Sequence, residues 1–271
     1  MTAVDDQVYA CPKCKHVLEQ SPKALSCRFC RRDFPIRDGI PDFLLEDLAQ
    51  SPHPILRGVK SIDWLSRIYE SKWWYPLVLN VYGGFGSVTF DRLVHAVAGE
   101  MEAVSGRILD VACGPGTFGR RIASPSKEVY GIDMSMGMLR RGTEYARRDR
   151  VPNMHFCRAK VETLPFRDAF FDAAICCGSL HLFADTVAAL KEIGRTLKPG
   201  GALAGFTFTA GKAGILKYRW IREHVRKGHG IQVLELPELE GCLRKAGFGG
   251  FRPECYGSVL IFAAGAHSGG D

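Results

Sequence analysis

No run in the 271-residue chain reaches the roughly 18 apolar residues that span a bilayer. The opening stretch MTAVDDQVYACPKC also lacks a basic segment followed by an apolar one, the mark of a secretory leader. These two absences argue against a membrane span and lead to the expectation of a soluble, cytoplasmic protein. Acid is scarcer than base, 29 residues against 36, for a formal net charge of +7. An anionic partner such as RNA would suit that balance. The excess is concentrated, however, in LRRGTEYARRDR (139–150) and KAGILKYRWIREHVRKGHG (212–230), whose helical spacing equally describes a solvated helix face. The Gly-Lys-Ser or Gly-Lys-Thr of a phosphate-binding loop is missing. So is any Ser-His-Asp order or carboxylate pair that would compel another mechanism.

What is present is ordinary globular material: 46% hydrophobic and 24% charged residues, enough for one substantial core and a small appendage. Of ten cysteines, four form two tight pairs, CPKC and CRFC. With no secretory signal, paired cysteines point to metal rather than disulfides. Cys11, Cys14, Cys27 and Cys30 supply four thiolates for a tetrahedral site with no position left for water, so zinc there is expected to be structural. Iron in a rubredoxin-like site would use the same ligands. The segment from Tyr9 to Leu44 is too short and turn-rich to fold on its own apolar area, and the metal would staple it. The other cysteines (Cys113, Cys157, Cys176, Cys177, Cys242 and Cys255) read as small buried hydrophobes.

The division expected is a cysteine module at 1–48, a connector with an aromatic helical lid at 49–105, an α/β domain at 106–265 and a flexible tail at 266–271. In the connector, Pro52 and Pro54 disfavour a continuous helix before a helical section opens near Ile62. Trp64, Tyr69, Trp73, Trp74, Tyr75, Tyr82 and Phe85 crowd it, either packing between domains or covering a pocket. Beyond Gly106, strand-like runs at Ile108–Ala112, Val129–Asp133, Met154–Cys157, Phe171–Cys177 and Ala202–Phe208 alternate with helical periodicity. The pattern predicts a doubly wound parallel sheet. A basic helix, another helix at Leu236–Ala246 and two close strands, FRPECY and SVLIFAA, follow. Their short connection makes them a hairpin, so the last strand runs antiparallel.

The stretch GRILDVACGPGTFGRR (106–121) reads as a strand entering a glycine turn that opens a helix. Asp110 ends the strand, Gly114 and Gly116 allow close backbone approach, and the helix near Thr117 aims free amides at a ligand. Dinucleotide-binding folds use a similar device, so the glycine turn by itself does not fix the ligand. Asp133, ending the second strand, can accept hydrogen bonds from both hydroxyls of a ribose, so the ligand expected is a nucleoside.

Four ordered stretches, ILDVACGPGTFGRRIA, VYGIDMSMGMLRRG, AKVETLPFRDAFFDAAICCGSLHLFAD and ALKEIGRTLKPGGAL, resemble the class I methyltransferases that use S-adenosylmethionine, notably the type 11 and quinone-methyltransferase-like enzymes. The resemblance implies a seven-stranded Rossmann-like sheet with an antiparallel last strand, beside a zinc-ribbon-like module. It also implies that Asp110 and the backbone at Ala112 and Gly114 hold the methionine end of the cofactor, and that Asp133 and Met134 hold the ribose. Val161 and Glu162 would lie beside the adenine, and Cys177 and Gly178 beneath the sulfonium. S-adenosylhomocysteine would be the product. Where the family usually has an acid, this chain has Lys160, which cannot accept a hydrogen bond from the adenine amino group. The N-terminal segment, through its ending FPIRDGIPDFL, resembles the Trm112-like zinc-binding domain, which in that family partners methyltransferases of tRNA, rRNA or a translation factor.

Methyl transfer from a sulfonium asks an enzyme chiefly to position a nucleophile and exclude water. His181, in CCGSLHLF, is a candidate base for a phenol or carbon acid, or else a structural histidine of the loop. The Asn-Pro-Pro-Tyr motif of base-amine methylation is absent after the fourth strand, which argues against exocyclic amines of nucleobases. Three readings follow: methylation of a small aromatic or apolar acceptor, methylation of rRNA or tRNA through the module and basic helix, or a non-catalytic cofactor-binding scaffold. In each, the module either recruits a partner or caps the domain.

Overall fold

The computed structural model describes residues 8–51, 53–54, 57–58, 66 and 68–266. Four short strands, β1 (Glu19–Gln20), β2 (Ala24–Cys27), β3 (Arg32–Arg37) and β4 (Ile40–Pro41), make an antiparallel sheet in chain order. Asp38 and Gly39, both with positive φ (54° and 79°), close the β3–β4 hairpin in the backbone that a two-residue turn of this twist demands.

α1 (Trp74–Val78) runs into a π turn at Leu79–Gly83, and α2 (Phe90–Glu100) is capped by Thr89, whose hydroxyl accepts the Arg92 N–H. β5 (Gly106–Val111), α3 (Gly119–Ile122), β6 (Lys127–Asp133), α4 (Met136–Arg148), β7 (Met154–Arg158), β8 (Phe171–Cys177) and α5 (Thr186–Thr196) follow. The chain closes with β9 (Leu197–Phe208), α6 (Arg219–His229), α7 (Leu236–Lys245), β10 (Phe248–Tyr256) and β11 (Val259–Ala266). The seven strands order as β10-β11-β9-β8-β5-β6-β7; β5 to β9 pair in parallel, and β11 runs antiparallel between β9 and β10. This is the doubly wound sheet with the reversed final strand that the sequence predicts.

Alternation along β5 explains why both faces are covered. Ile108 packs with Val129, Ala173 and Ile175 on one face, whereas Leu109 and Val111 pack with Tyr130, Ile132 and Ala174 on the other. α4 turns Met138, Leu139, Gly142 and Ala146 inward and is capped by Ser135.

Boundaries differ from the sequence reading at four places. β9 starts at Leu197 rather than Ala202, directly after α5 stops at Thr196; pairing with β8 shifts there, from Phe171↔Leu197 to Ala173↔Ala202, so the extra residues are absorbed as a bulge. The basic helix begins at Arg219 rather than Lys212, because Gly214 takes φ 65° and a 3-10 turn fills Ile215–Lys217. The helix expected near Thr117 starts at Gly119, and β10 extends back to Phe248 across an irregularity. Pro52, Ile62 and Trp64 lie outside the described residues.

Candidate functional site

The carboxyl ends of β5, β6 and β8 open into one cleft. Ala112, Gly114, Asp133, Met134, Val161, Glu162, Cys177 and Gly178 all line it. The glycine turn is built from left-handed backbone at Ala112 (φ 51°), Gly114 (55°) and Gly116 (74°). Alanine in that region is uncommon, and the strain sits at the cleft wall.

Asp133 is fixed from two sides. Its Oδ2 accepts the Gly114 N–H at 2.9 Å and its Oδ1 the Ser135 N–H at 2.8 Å. The carboxylate lines the cleft with its orientation set by backbone. The Met134 carbonyl beside it accepts from Arg158 Nε at 2.8 Å.

Asp110, Gly116 and His181 are placed elsewhere. Asp110 is buried behind the turn, where its Oδ2 accepts the Gly119 N–H at 3.1 Å, and burial pushes its carboxyl up to about 8. A Cβ on Gly116 would stand 3.0 Å from the Phe156 ring, so this glycine serves packing and turn geometry. His181 sits off the cleft lining, with Nδ1 3.1 Å from Thr207 Oγ1 and its ring edge-on to Phe208. Burial brings its imidazole down to about 4, so it is neutral at pH 7. Burial raises the Cys176 thiol to about 12 and raises Cys177 as well; both stay protonated, as packing residues do.

Several lining residues escape a motif-based reading: Ile132, Ser135, Met138, Ala159, Ser179, Leu182 and Phe183. Tyr69 is the described member of the aromatic segment that reaches the cleft, with its ring against Gly114. Burial, reinforced by the Asp133 and Asp110 charges, raises its phenol to about 12, leaving the hydroxyl a donor. Trp73 and Phe85 instead face outward. Leu182 and Phe183 belong to the loop after β8, where two apolar residues in an otherwise open turn were the available signal.

Arg120, which follows the last glycine of the turn, Gly119, is buried and joins Glu70 to Asp149. Thr117 Oγ1 also donates to Glu70, at 2.6 Å, so the segment bearing Tyr69 is tied to the turn. Lys160 turns away from the cleft lining, and its Nζ lies 3.1 Å from Glu46 of the N-terminal segment.

In that segment the four sulfurs of Cys11, Cys14, Cys27 and Cys30 lie within 4.8 Å of one another, with closest pairs at 3.5 Å (Cys11–Cys30) and 3.4 Å (Cys14–Cys27). A tetrahedron with metal–sulfur bonds of about 2.3 Å has edges of about 3.8 Å, so the quartet fits such an ion.

Residues 108–201 match the family described as "Methyltransferase domain", and residues 9–39 match "Trm112p-like protein". An uncharacterized chloroplastic methyltransferase of Arabidopsis thaliana is 27% identical over 75% of this chain and 62% of its own length. Demethylmenaquinone methyltransferase of Corynebacterium kroppenstedtii is 36% identical over 38% of this chain and 42% of its own. The chain thus spans less than two thirds of either relative. Among solved structures, the [4+2]-cyclase SpnF superposes with a TM-score of 0.63 at 22% identity, covering 81% of this chain and 98% of that one, a likeness of fold.

Proposed function

From a chain that carries a class I S-adenosylmethionine methyltransferase domain behind a Trm112-like four-cysteine segment, we propose that it transfers a methyl group to a small, apolar or aromatic acceptor. The observation that carries this reading is Asp133: two backbone N–H groups aim its carboxylate into a cleft whose other walls are largely apolar. A ribose diol can donate to that carboxylate, while Val161, Met138 and Ala159 offer an apolar slot for a base. Lys160, directed to Glu46, does not interfere with that slot, so the adenine would rest on apolar contacts and backbone.

S-adenosylmethionine, when bound, supplies a methyl already activated on a sulfonium. The protein's part is to orient and dehydrate. Leu182, Phe183 and Tyr69 exclude water from the mouth of the cleft, and an aromatic face favours a nearby cation by roughly 0.5–2 kcal/mol. His181 lies behind Thr207 and Phe208, so its role is to hold the β8 loop: its carbonyl accepts the Gln232 N–H at 2.7 Å, and Gln232 also donates to Ala184 at 3.0 Å. In the cysteine quartet a four-sulfur zinc ion is structural, and the segment acts as a cap, because Tyr9 and Phe43 share one core with Phe166 and Phe171.

The test is incubation of the full chain with methyl-labelled S-adenosylmethionine and a cell extract, followed by separation of organic-soluble, RNA and protein fractions. Label is expected in the organic phase. The Asp133→Ala variant is expected to lose calorimetric binding of S-adenosylhomocysteine. Label confined to RNA would replace the small acceptor with a nucleic acid, and retained binding by the variant would remove Asp133 from the site.

A further inference from the structure

Most large apolar side chains of the protein are buried, yet two neighbouring segments turn theirs outward. Trp73 is 71% exposed, Leu77 60% and Phe85 96%, and beside them Tyr218 is 47% and Trp220 69% exposed. Trp73, Leu77 and the partly exposed Val81 follow one another at four-residue steps, which places them on one side of the helical stretch through α1. The segments touch, since a Cβ on Gly84 would meet the Ala213 side chain at 2.5 Å and one on Gly214 the Tyr82 carbonyl at 2.3 Å. Large apolar side chains exposed together on two touching segments mark an interaction surface.

Charge selects the partner. Residues 68–85 and 211–222 contain Lys72, Lys212, Lys217, Arg219 and Arg222 but a single acid, Glu70. Glu70 is turned inward onto buried Arg120. Arg219 shares Glu223 at 2.9 Å, while the lysines stand at the surface among the rings: the Lys72 ammonium is 5.1 Å from the centre of the Trp73 ring, and that of Lys217 4.8 Å from Tyr218. Exposed Trp and Tyr interleaved with cations match a water–lipid boundary, where rings sit at headgroup depth and ammonium groups meet phosphates. A second copy would fit poorly, because two-fold docking would set this basic face against itself. No helix among the described residues is long and apolar enough to cross a membrane, so contact would be peripheral.

We propose that the face bearing Trp73, Leu77, Phe85, Tyr218 and Trp220 docks onto an anionic lipid surface. Tyr69, in the same segment, lines the donor cleft, and Tyr82 packs on Phe208, whose ring meets His181. Docking therefore brings the cleft to the phase in which an apolar acceptor dissolves. That consequence rests on the proposed acceptor class; the docking itself does not.

The experiment is co-sedimentation of the full chain with vesicles of phosphatidylcholine alone or with about 30 mol% phosphatidylglycerol, read together with tryptophan emission. Binding is expected to be about ten-fold stronger on the anionic vesicles, accompanied by a blue shift and weakened by salt. The triple variant Trp73→Ser, Phe85→Ser, Trp220→Ser is expected to lose about ten-fold of that binding while keeping its melting temperature and its affinity for S-adenosylhomocysteine. The pair Lys72→Glu, Lys217→Glu is expected to lose the preference for anionic lipid, and it decides the matter alone should the triple variant fail to fold. Equal sedimentation of wild type and triple variant, or no sedimentation of wild type, overturns the proposal. So does a wild-type dimer that the triple variant dissociates, or stronger binding to an RNA oligonucleotide than to vesicles. Failure to find a methyl acceptor would sink the proposed function and leave the vesicle result standing.

Discussion

Asp110 and Asp133 end adjacent parallel strands, yet their surroundings give them different chemistry. Asp133 is partly exposed and held by the N–H groups of Gly114 and Ser135, whereas Asp110 is buried with the Gly119 N–H on its carboxyl. Both were legible as strand-end acids; the burial of one was not, because it depends on how Gly119 closes over it. A Cβ at Gly119 would approach Asp110 Oδ2 to 2.6 Å. The buried carboxyl ionises near 8 in the folded chain, against 3.8 for an unperturbed group. Between those values the folded form keeps a proton that the unfolded form has lost, so the contribution to stability is full below the lower value and drains as pH rises through the upper. Asp110→Asn cannot ionise and should lack this fall. Melting temperatures of wild type and variant, measured by calorimetry from about pH 4 to about pH 8, are expected to converge or cross in the variant's favour. Parallel curves would contradict the assignment.

At the scale of elements, the segment from Ile68 to Gly83 stays on the glycine turn through one buried cation. Arg120 holds Glu70 and Asp149, with a side chain only 4% exposed, and Thr117 completes the link. Removing one partner from such a group typically costs about 3–5 kcal/mol, because the remaining charge is left uncompensated. Arg120→Ala is therefore expected to lower unfolding free energy in urea by about 3 kcal/mol. Limited proteolysis should then cut near Tyr69, which no longer stays at the cleft. A variant with unchanged stability would show that the aromatic packing of Tyr75 on Phe90 and Phe118 suffices. Sequence alone placed Arg120 just after the glycine turn and gave no sign of its burial. Its partners lie 50 residues before and 29 residues after it, a distance no local pattern encodes.

Across the whole molecule, the cysteine segment and the large domain are joined by backbone as well as side chains. The Ala10 N–H donates to the Pro165 carbonyl at 3.0 Å and the Phe43 N–H to the Arg158 carbonyl at 2.8 Å. Lys15 pairs with Glu192 at 2.8 Å, and Asp42 meets the same Arg158 whose Nε holds the Met134 carbonyl. A relay thus runs from the segment to the cleft wall at Met134. Treatment of the full chain with a chelator is expected to lower the melting temperature by at least about 5 °C and to weaken S-adenosylhomocysteine binding several-fold. An unchanged melting curve would make the segment an independent recruiter. A colourless protein with metal found by elemental analysis is expected for zinc, and a red one for iron.

By itself the sequence determined the α/β order, the reversed last strand, the four-cysteine quartet and the acid that ends β6. Each is written in short-range spacing: apolar alternation, glycine where φ is positive, thiols two residues apart. Tertiary structure alone decided that Lys160 answers Glu46, that His181 stands behind Thr207 rather than in the cleft, and that Tyr69 reaches it while Trp73 and Phe85 face outward. These outcomes depend on contacts between residues far apart in the chain, whose burial and pairing exist only once the elements have packed.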